Sequence, residues 1–214
     1  MEPTIYCISG LGADERIFSK LIIKGYRLQH IPWLPPVANE SIEAYALRMA
    51  APIQDENAVL IGVSFGGMMS IEIAKQKALR QIIIISSVKS VTELPAWMRA
   101  AGKMRLNKMF PLVRPLSLIE GVANKRLGAF TPEEKEIARA YRKTANEAYV
   151  QWAVDKIVNW KNIWQPKGIL HIHGDADKIF PFQKIKEPLL IHGGTHFMVY
   201  NKADEISQKI LDHL

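Results

Sequence analysis

With 214 residues, 48% of them hydrophobic, the chain can bury one sizeable core and is too short for two full domains, so a single domain over 1–214 is expected. Nothing near the start reads as a signal peptide and no apolar run approaches the ~20 residues of a membrane span, so a soluble, cytoplasmic protein is the expectation. The formal charge of +7 sits wholly in one segment: residues 1–88 hold 8 Lys/Arg against 8 Asp/Glu, residues 167–214 hold 6 against 6, and residues 89–166 hold 14 against 7.

The first apolar run, Thr4 to Ser9, predicts a strand, and its Cys7, the one cysteine of the chain, reads as a small buried hydrophobe. A lone cysteine excludes an intramolecular disulfide and a thiolate metal cage. The loop that follows, Ser9-Gly10-Leu11-Gly12-Ala13-Asp14-Glu15, fails as a dinucleotide fingerprint because Glu15 stands where a third glycine is needed. As an oxyanion loop it works: its glycines let backbone amides face a tetrahedral intermediate, with Leu11 and Phe65 the expected donors. A second strand is predicted over Arg27 to Ile31, and a helix from a Ser41 cap to Ile53 with Ile42, Tyr45, Ala46 and Met49 on one face.

The strand Ala58 to Val63 runs into Gly62-Val63-Ser64-Phe65-Gly66-Gly67, and a helix is predicted over Gly66 to Leu79. A serine on a sharp strand-to-helix turn needs small neighbours, and the helix start behind it favours developing negative charge, so Ser64 is the candidate nucleophile. No Gly-Lys-Ser/Thr follows, which excludes a phosphate loop. After a strand over Gln81 to Ser86, residues 89–166 break the strand-helix rhythm. They offer helical pieces over Pro95 to Met109, Leu116 to Leu127, Thr131 to about Lys143, and Asn146 to Val158. Trp97, Met98, Met104, Met109, Phe110, Phe130, Trp152, Trp160 and Trp164 interleave with charge there, predicting an apolar face towards the site and a basic face outward.

A serine hydroxyl needs a base, and the base needs a carboxylate. The strand Gly168 to His173 is followed by Gly174-Asp175-Ala176-Asp177, where Asp177, further into the loop, is favoured over Asp175, the better turn cap. After the strand Pro188 to His192 comes Gly193-Gly194-Thr195-His196; His196 is the candidate base and His192, at the strand end, its rival. His30, His171, His173 and His213 read as structural or solvated. A closing helix spans Ala203 to Leu214.

Taken in order, the strand, the serine turn, the Gly-Asp-Ala-Asp loop and the Gly-Gly-Thr-His loop resemble the α/β-hydrolase superfamily over nearly the whole chain outside residues 89–166, which fall where that superfamily carries its cap. The resemblance implies an α/β fold of about six parallel strands wrapped by helices, lacking the superfamily's first two strands. It also matches the acid of Gly-x-x-Asp-x-x-x-Pro to Asp177, between Gly174 and Pro181. Where the family often has His-Gly in the oxyanion loop, this chain has Ser9-Gly10.

The expected activity is therefore hydrolysis of a small to medium, partly apolar ester through an acyl-enzyme, with no cofactor and no metal. Thioester, amide, lactone and carbon–carbon bond cleavage use the same triad. A non-catalytic binding protein on this fold is the rival class, and the complete Ser, Asp and His set argues against it. His171-Ile172-His173-Gly174-Asp175 also resembles the start of a metallo-β-lactamase metal site, but Ala176 stands where that family has another histidine. The basic face of residues 89–166 reads first as a solvated outer face of the cap helices, in preference to a nucleic-acid surface; an anionic substrate or membrane surface could exploit it, and the sequence carries no sign of oligomeric state.

Overall fold

The computed structural model describes residues 2–105 and 120–214. Within them the apolar runs form β1 (Thr4–Ile8), β2 (Arg27–His30), β3 (Val59–Val63), β4 (Gln81–Ile85), β5 (Leu170–Gly174) and β6 (Leu189–Ile191). These six strands make one sheet in the order β2-β1-β3-β4-β5-β6, every pair parallel. The described helices are α1 (Ile42–Met49), α2 (Phe65–Ala74), α3 (Ala96–Lys103), α4 (Glu120–Leu127), α5 (Pro132–Thr144), α6 (Glu147–Val158), α7 (Met198–Asn201) and α8 (Ala203–Leu211).

The central strands β1, β3 and β4 are buried on both faces because they are almost wholly apolar, and the pleat sends alternate residues to opposite cores, whereas the edge strand β2, Arg27-Leu28-Gln29-His30, is largely polar and only partly buried. Tyr6, Ile8, Leu60, Ile82 and Ile84 face Tyr45, Met49, Phe65, Met68 and Met69 of α1 and α2. Ile5, Cys7, Val59, Ile61, Ile83 and Ile85 pack in a second cluster with Ile17, Phe18, Phe197, Ile206 and Ile210. Each such Ile or Leu removed from water stabilises the fold by about 1.5–3 kcal/mol. Cys7 is 1% exposed, and burial pushes its thiol far above the ordinary range, so it packs as a hydrophobe.

The sheet order also creates the crevice that holds the site. From β1 the chain moves outward to β2, and from β3 it moves the other way to β4. The loops leaving the adjacent ends of β1 and β3 therefore diverge, and a cleft opens at their carboxyl edge.

Element boundaries differ from expectation by a few residues. Ser41 does cap α1, its Oγ accepting from the Ala44 amide at 3.1 Å, but α1 ends at Met49 because Pro52 can neither donate a helical hydrogen bond nor let the residue before it stay helical. α2 starts at Phe65 and stops at Ala74, short of Leu79, and the short α7 was not signalled by the sequence. Thr131 and Glu134 form a capping box at the start of α5, and Asn146 caps α6. The last residues of the helix expected over Pro95 to Met109, and the first of that over Leu116 to Leu127, lie outside the described residues.

Between β4 and β5 the described residues are helical or irregular. The expectation that the large apolar groups there face the site holds only in part: Trp97 and Met98 line a cavity at the sheet's carboxyl edge, whereas Trp152 and Trp160 serve as fasteners. Trp152 packs on Tyr45 with ring centroids 4.2 Å apart and donates its indole N–H to the Glu40 carbonyl at 3.0 Å. Trp160 donates to Glu72 Oε1 at 2.7 Å. Phe130, Met104 and Trp164 are exposed, and Met109 and Phe110 lie outside the described residues. At the other end, Glu133 meets Tyr200 and Lys20, and Asn201 donates to Glu134 at 3.1 Å.

β5 carries two histidines at alternate positions, His171 and His173, with rings 5.4 Å apart. Burial first, and then the neighbouring His173 and Lys89, hold His171 well below its ordinary pKa; burial likewise lowers His173. A histidine depressed in the fold stabilises it fully above the unfolded pKa of about 6.5 and loses that contribution as pH falls towards the folded value. Urea unfolding should therefore show stability falling below about pH 6.5, by up to about 1.4 kcal/mol per pH unit for each histidine. In His171→Gln the slope should shrink by one proton's worth; an unchanged slope would show that His171 is not the titrating group.

Candidate active site

Ser64 sits between the end of β3 and the first turn of α2, at φ 54° and ψ −118°, a conformation that costs a non-glycine residue about 1–3 kcal/mol. It is held there from three sides. Its amide donates to the Ile85 carbonyl at 3.0 Å, and its own carbonyl accepts from the Gly67 amide at 2.9 Å and from Ser87 Oγ at 2.7 Å. The two flanking glycines are required by contact. A Cβ on Gly62 would strike the Gly66 carbonyl and Ser70 Oγ, and one on Gly66 would strike the carbonyl oxygens of Ile8 and Ser9 at the end of β1.

Two further loops bring their side chains to this turn. After β5, Asp177 is 4% exposed. Its Oδ1 accepts the amides of Ile179 at 2.8 Å and Phe180 at 2.9 Å, and its Oδ2 stands 2.8 Å from His196 Nδ1. His196 Nε2 in turn stands 2.9 Å from Ser64 Oγ. With the aspartate ionised, this network assigns the proton of His196 to Nδ1 and leaves Nε2 to accept from the serine hydroxyl. Burial works to raise the Asp177 carboxyl. The charge and hydrogen bond of His196, the proximity of His173 and the Phe180 amide outweigh it and hold Asp177 below its ordinary value. His173 also braces the loop, its Nε2 lying 2.9 Å from the Phe180 carbonyl and 3.6 Å from Asp177 Oδ2.

The rival residues pair with one another. Asp175 accepts the Gly193 amide at 2.7 Å and stands 3.3 Å from His192 Nδ1, at the surface, with the His192 side chain 85% exposed. The histidines of the metal-site resemblance diverge: His171 Nε2 meets the Ser87 carbonyl at 3.1 Å and His173 Nε2 meets that of Phe180. Asp175 is turned to His192, so the three do not form one donor set.

The Gly10 loop lies against the serine turn, with a Cβ on Gly10 meeting Ser64 Cβ at 3.4 Å. Neither the Leu11 nor the Phe65 amide donates a hydrogen bond among the described residues, which leaves both available to an incoming oxygen. The loop is fixed by residues the sequence did not single out. Trp33 donates its indole N–H to Ser9 Oγ and to the Gly10 carbonyl, both at 3.1 Å, while its ring stacks on Phe65 at 5.1 Å and 13°. Ser9 Oγ donates onward to the Ala13 carbonyl at 2.7 Å. One indole thus ties the loop that carries Leu11 to the first residue of α2, Phe65. Ser64 and His196 open into a cavity of about 430 Å3, lined by Leu11, Trp97 and Met98, and by Val154, Ile157 and Val158 of α6. The α6 residues are β-branched and belong to no motif that marks them in the sequence.

No family model and no curated protein matches the chain by sequence. Solved structures do match. A thermophilic esterase from Thermogutta terrifontis superposes with a TM-score of 0.71 at 17% identity, over 98% of this chain and 88% of that one. A bromoperoxidase from Bacillus anthracis gives 0.72 at 16%, over 100% and 92%, and a hydrolase from Pseudomonas aeruginosa gives 0.75 at 13%, over 99% and 89%. The chain has the α/β-hydrolase fold. Structures named for different activities share this α/β-hydrolase scaffold, so the reaction must be argued from the site.

In Gly66→Ala the new methyl group must displace the end of β1 or the start of α2. Overpacking of this kind costs about 1–3 kcal/mol or more. Thermal unfolding of the variant should come several degrees earlier, with Ser64 reactivity reduced in whatever protein remains folded; an unchanged midpoint would contradict the contact.

Proposed function

We propose that the protein is a serine hydrolase acting on carboxylic esters, with Ser64 as nucleophile, His196 as general base and acid, and Asp177 as the group that orients His196. The observation that carries this reading is the continuous pair of hydrogen bonds, 2.9 Å from Ser64 Oγ to His196 Nε2 and 2.8 Å from His196 Nδ1 to Asp177 Oδ2, at the mouth of an apolar cavity.

In the proposed cycle Ser64 Oγ attacks the carbonyl carbon as His196 Nε2 takes its proton, forming a tetrahedral oxyanion. Collapse expels the alcohol, which leaves with the proton from His196 and creates an acyl-Ser64 ester. Water then repeats the sequence, giving the acid and restoring the serine. The Leu11 and Phe65 amides receive the oxyanion, aided by the positive end of α2; a single such donor typically supplies about 3 kcal/mol of transition-state stabilisation. Asp177 stays ionised throughout and stabilises the imidazolium. The helices between β4 and β5 act as a cap, within a single domain, and supply the apolar wall that favours small to medium acyl groups over water.

A fluorophosphonate probe should label the wild-type protein at Ser64 and leave Ser64→Ala unlabelled. Turnover of short-chain esters should fall about 10^4-fold or more in Ser64→Ala and about 10^4-fold in Asp177→Asn. Asp175→Asn, whose carboxylate faces His192, should retain most of its activity. Undiminished ester turnover in Ser64→Ala would refute the proposal.

A further inference from the structure

Among the described residues lining the cavity, one side chain carries a fixed charge, Arg142 of α5. The rest, apart from Ser64, His196 and Tyr141, are apolar or glycine. A guanidinium facing an apolar cavity needs compensation, and the compensation here is incomplete. Nη2 of Arg142 donates to Glu120 Oε1 at 3.2 Å and to Asn124 Oδ1 at 3.0 Å. Those two bonds use both of its protons, and no described partner takes Nε or Nη1. A guanidinium has five N–H donors, so three remain uncommitted.

The charge is uncompensated as well. Glu120 Oε1 also accepts from Arg139 Nε, at 2.9 Å, so one carboxylate serves two guanidinium groups. The hydrogen bond from Arg139 holds the Glu120 carboxyl below its ordinary value, against a smaller opposing effect of burial. Arg139 is the shorter contact and the more exposed partner, with 56% of its side chain exposed against 20% for Arg142. One positive charge is therefore left over, and its half-buried bearer is the guanidinium at the cavity wall.

We propose that Arg142 is a specificity-determining residue that binds a carboxylate carried by the substrate, so that the preferred esters are half-esters of dicarboxylic acids or other esters with an anionic tail. This rests on the hydrolase reading above and narrows its substrate class. An anionic tail supplies what the guanidinium lacks, and in a cavity of low polarity such a charge-assisted bond is stronger than at a surface. The excess of basic groups over residues 89–166 adds a field that draws anions towards this part of the molecule.

The test compares monobutyl succinate, glutarate and adipate with butyl butyrate, valerate and hexanoate, pairs that differ by a terminal carboxylate in place of a methyl group. For at least one length the wild type should prefer the anionic ester. Arg142→Gln should lower the ratio of kcat/KM for that pair about 10- to 100-fold, and Arg142→Lys should restore part of it. Equal losses on both members of the pair, with the ratio unmoved, would show that Arg142 only braces α4 against α5 and would overturn the proposal. A second readout is independent of turnover: calorimetric binding of the same half-esters to Ser64→Ala and to Ser64→Ala/Arg142→Gln. A Kd raised about tenfold or more by the second substitution supports the site even where no ester is hydrolysed, which would instead defeat the hydrolase reading. Equal Kd values in the two proteins, or no binding of any half-ester to Ser64→Ala, would overturn the inference.

Discussion

The seat of α2 against the ends of β1 and β3 is the constraint on which the rest of the site depends. Gly66 lies in contact with the carbonyls of Ile8 and Ser9, and Gly62 with Gly66 and Ser70. No side chain fits at either position, so the helix can start only a residue after the strand ends and the chain between them must turn sharply. Ser64 occupies that turn. The same approach puts the Gly10 loop beside Ser64 and leaves the Phe65 amide at the first turn of the helix. Steric exclusion at two glycines thus fixes the proposed nucleophile, two amides without a partner among the described residues and a helix dipole in a single small volume, and the strain at Ser64 is sustained by the buried contacts around it.

The proposed partners of Ser64, Asp177 and His196, obey a different logic, that of desolvation. An aspartate 4% exposed is costly unless its oxygens are bonded. Asp177 meets that requirement twice over, with two backbone amides on one oxygen and the His196 ring on the other. The two amides come from Ile179 and Phe180, so the loop folds around its own carboxylate, and His173 from the strand behind holds the Phe180 carbonyl. The aspartate stays charged because these bonds outweigh burial, and a charged aspartate is what keeps the His196 proton on the nitrogen away from Ser64.

What the sequence revealed follows from these two kinds of constraint. Gly62, Ser64 and Gly66 were legible because steric exclusion writes itself as glycine at fixed spacing. The strands were legible because burial on both faces demands unbroken apolar runs, as in Val59–Val63 and Gln81–Ile85. Asp177 was separable from Asp175 only by loop position and by likeness to a family pattern, and the physical difference emerges in space: Asp175 turns to the exposed His192, Asp177 to the buried His196. Trp33 was illegible for the opposite reason. Its role rests on a hydrogen bond across 23 residues to Gly10 and on stacking across the sheet edge to Phe65, neither of which leaves a local pattern.

The segment between β4 and β5 shows how composition can mislead about direction. Its aromatic and charged residues alternate, which suggested an apolar face towards the site and a basic face away from it. In space Trp152 and Trp160 reach α1 and α2, as anchors on the core, while the cavity wall is built from Val154, Ile157 and Val158, one turn of α6 that a tryptophan could not replace without filling the space. The division is physically sensible: large rigid aromatics with one polar atom suit a fixed junction, where the N–H finds a permanent acceptor, and smaller aliphatic groups suit a cavity that must admit something else. The charge follows the same separation, since Arg139 lies largely in solvent and Arg142 at the cavity wall, three residues apart on one helix and sharing Glu120. A basic segment therefore need not be basic only on its outside, and it is the inward member of this pair that bears on what the cavity can hold.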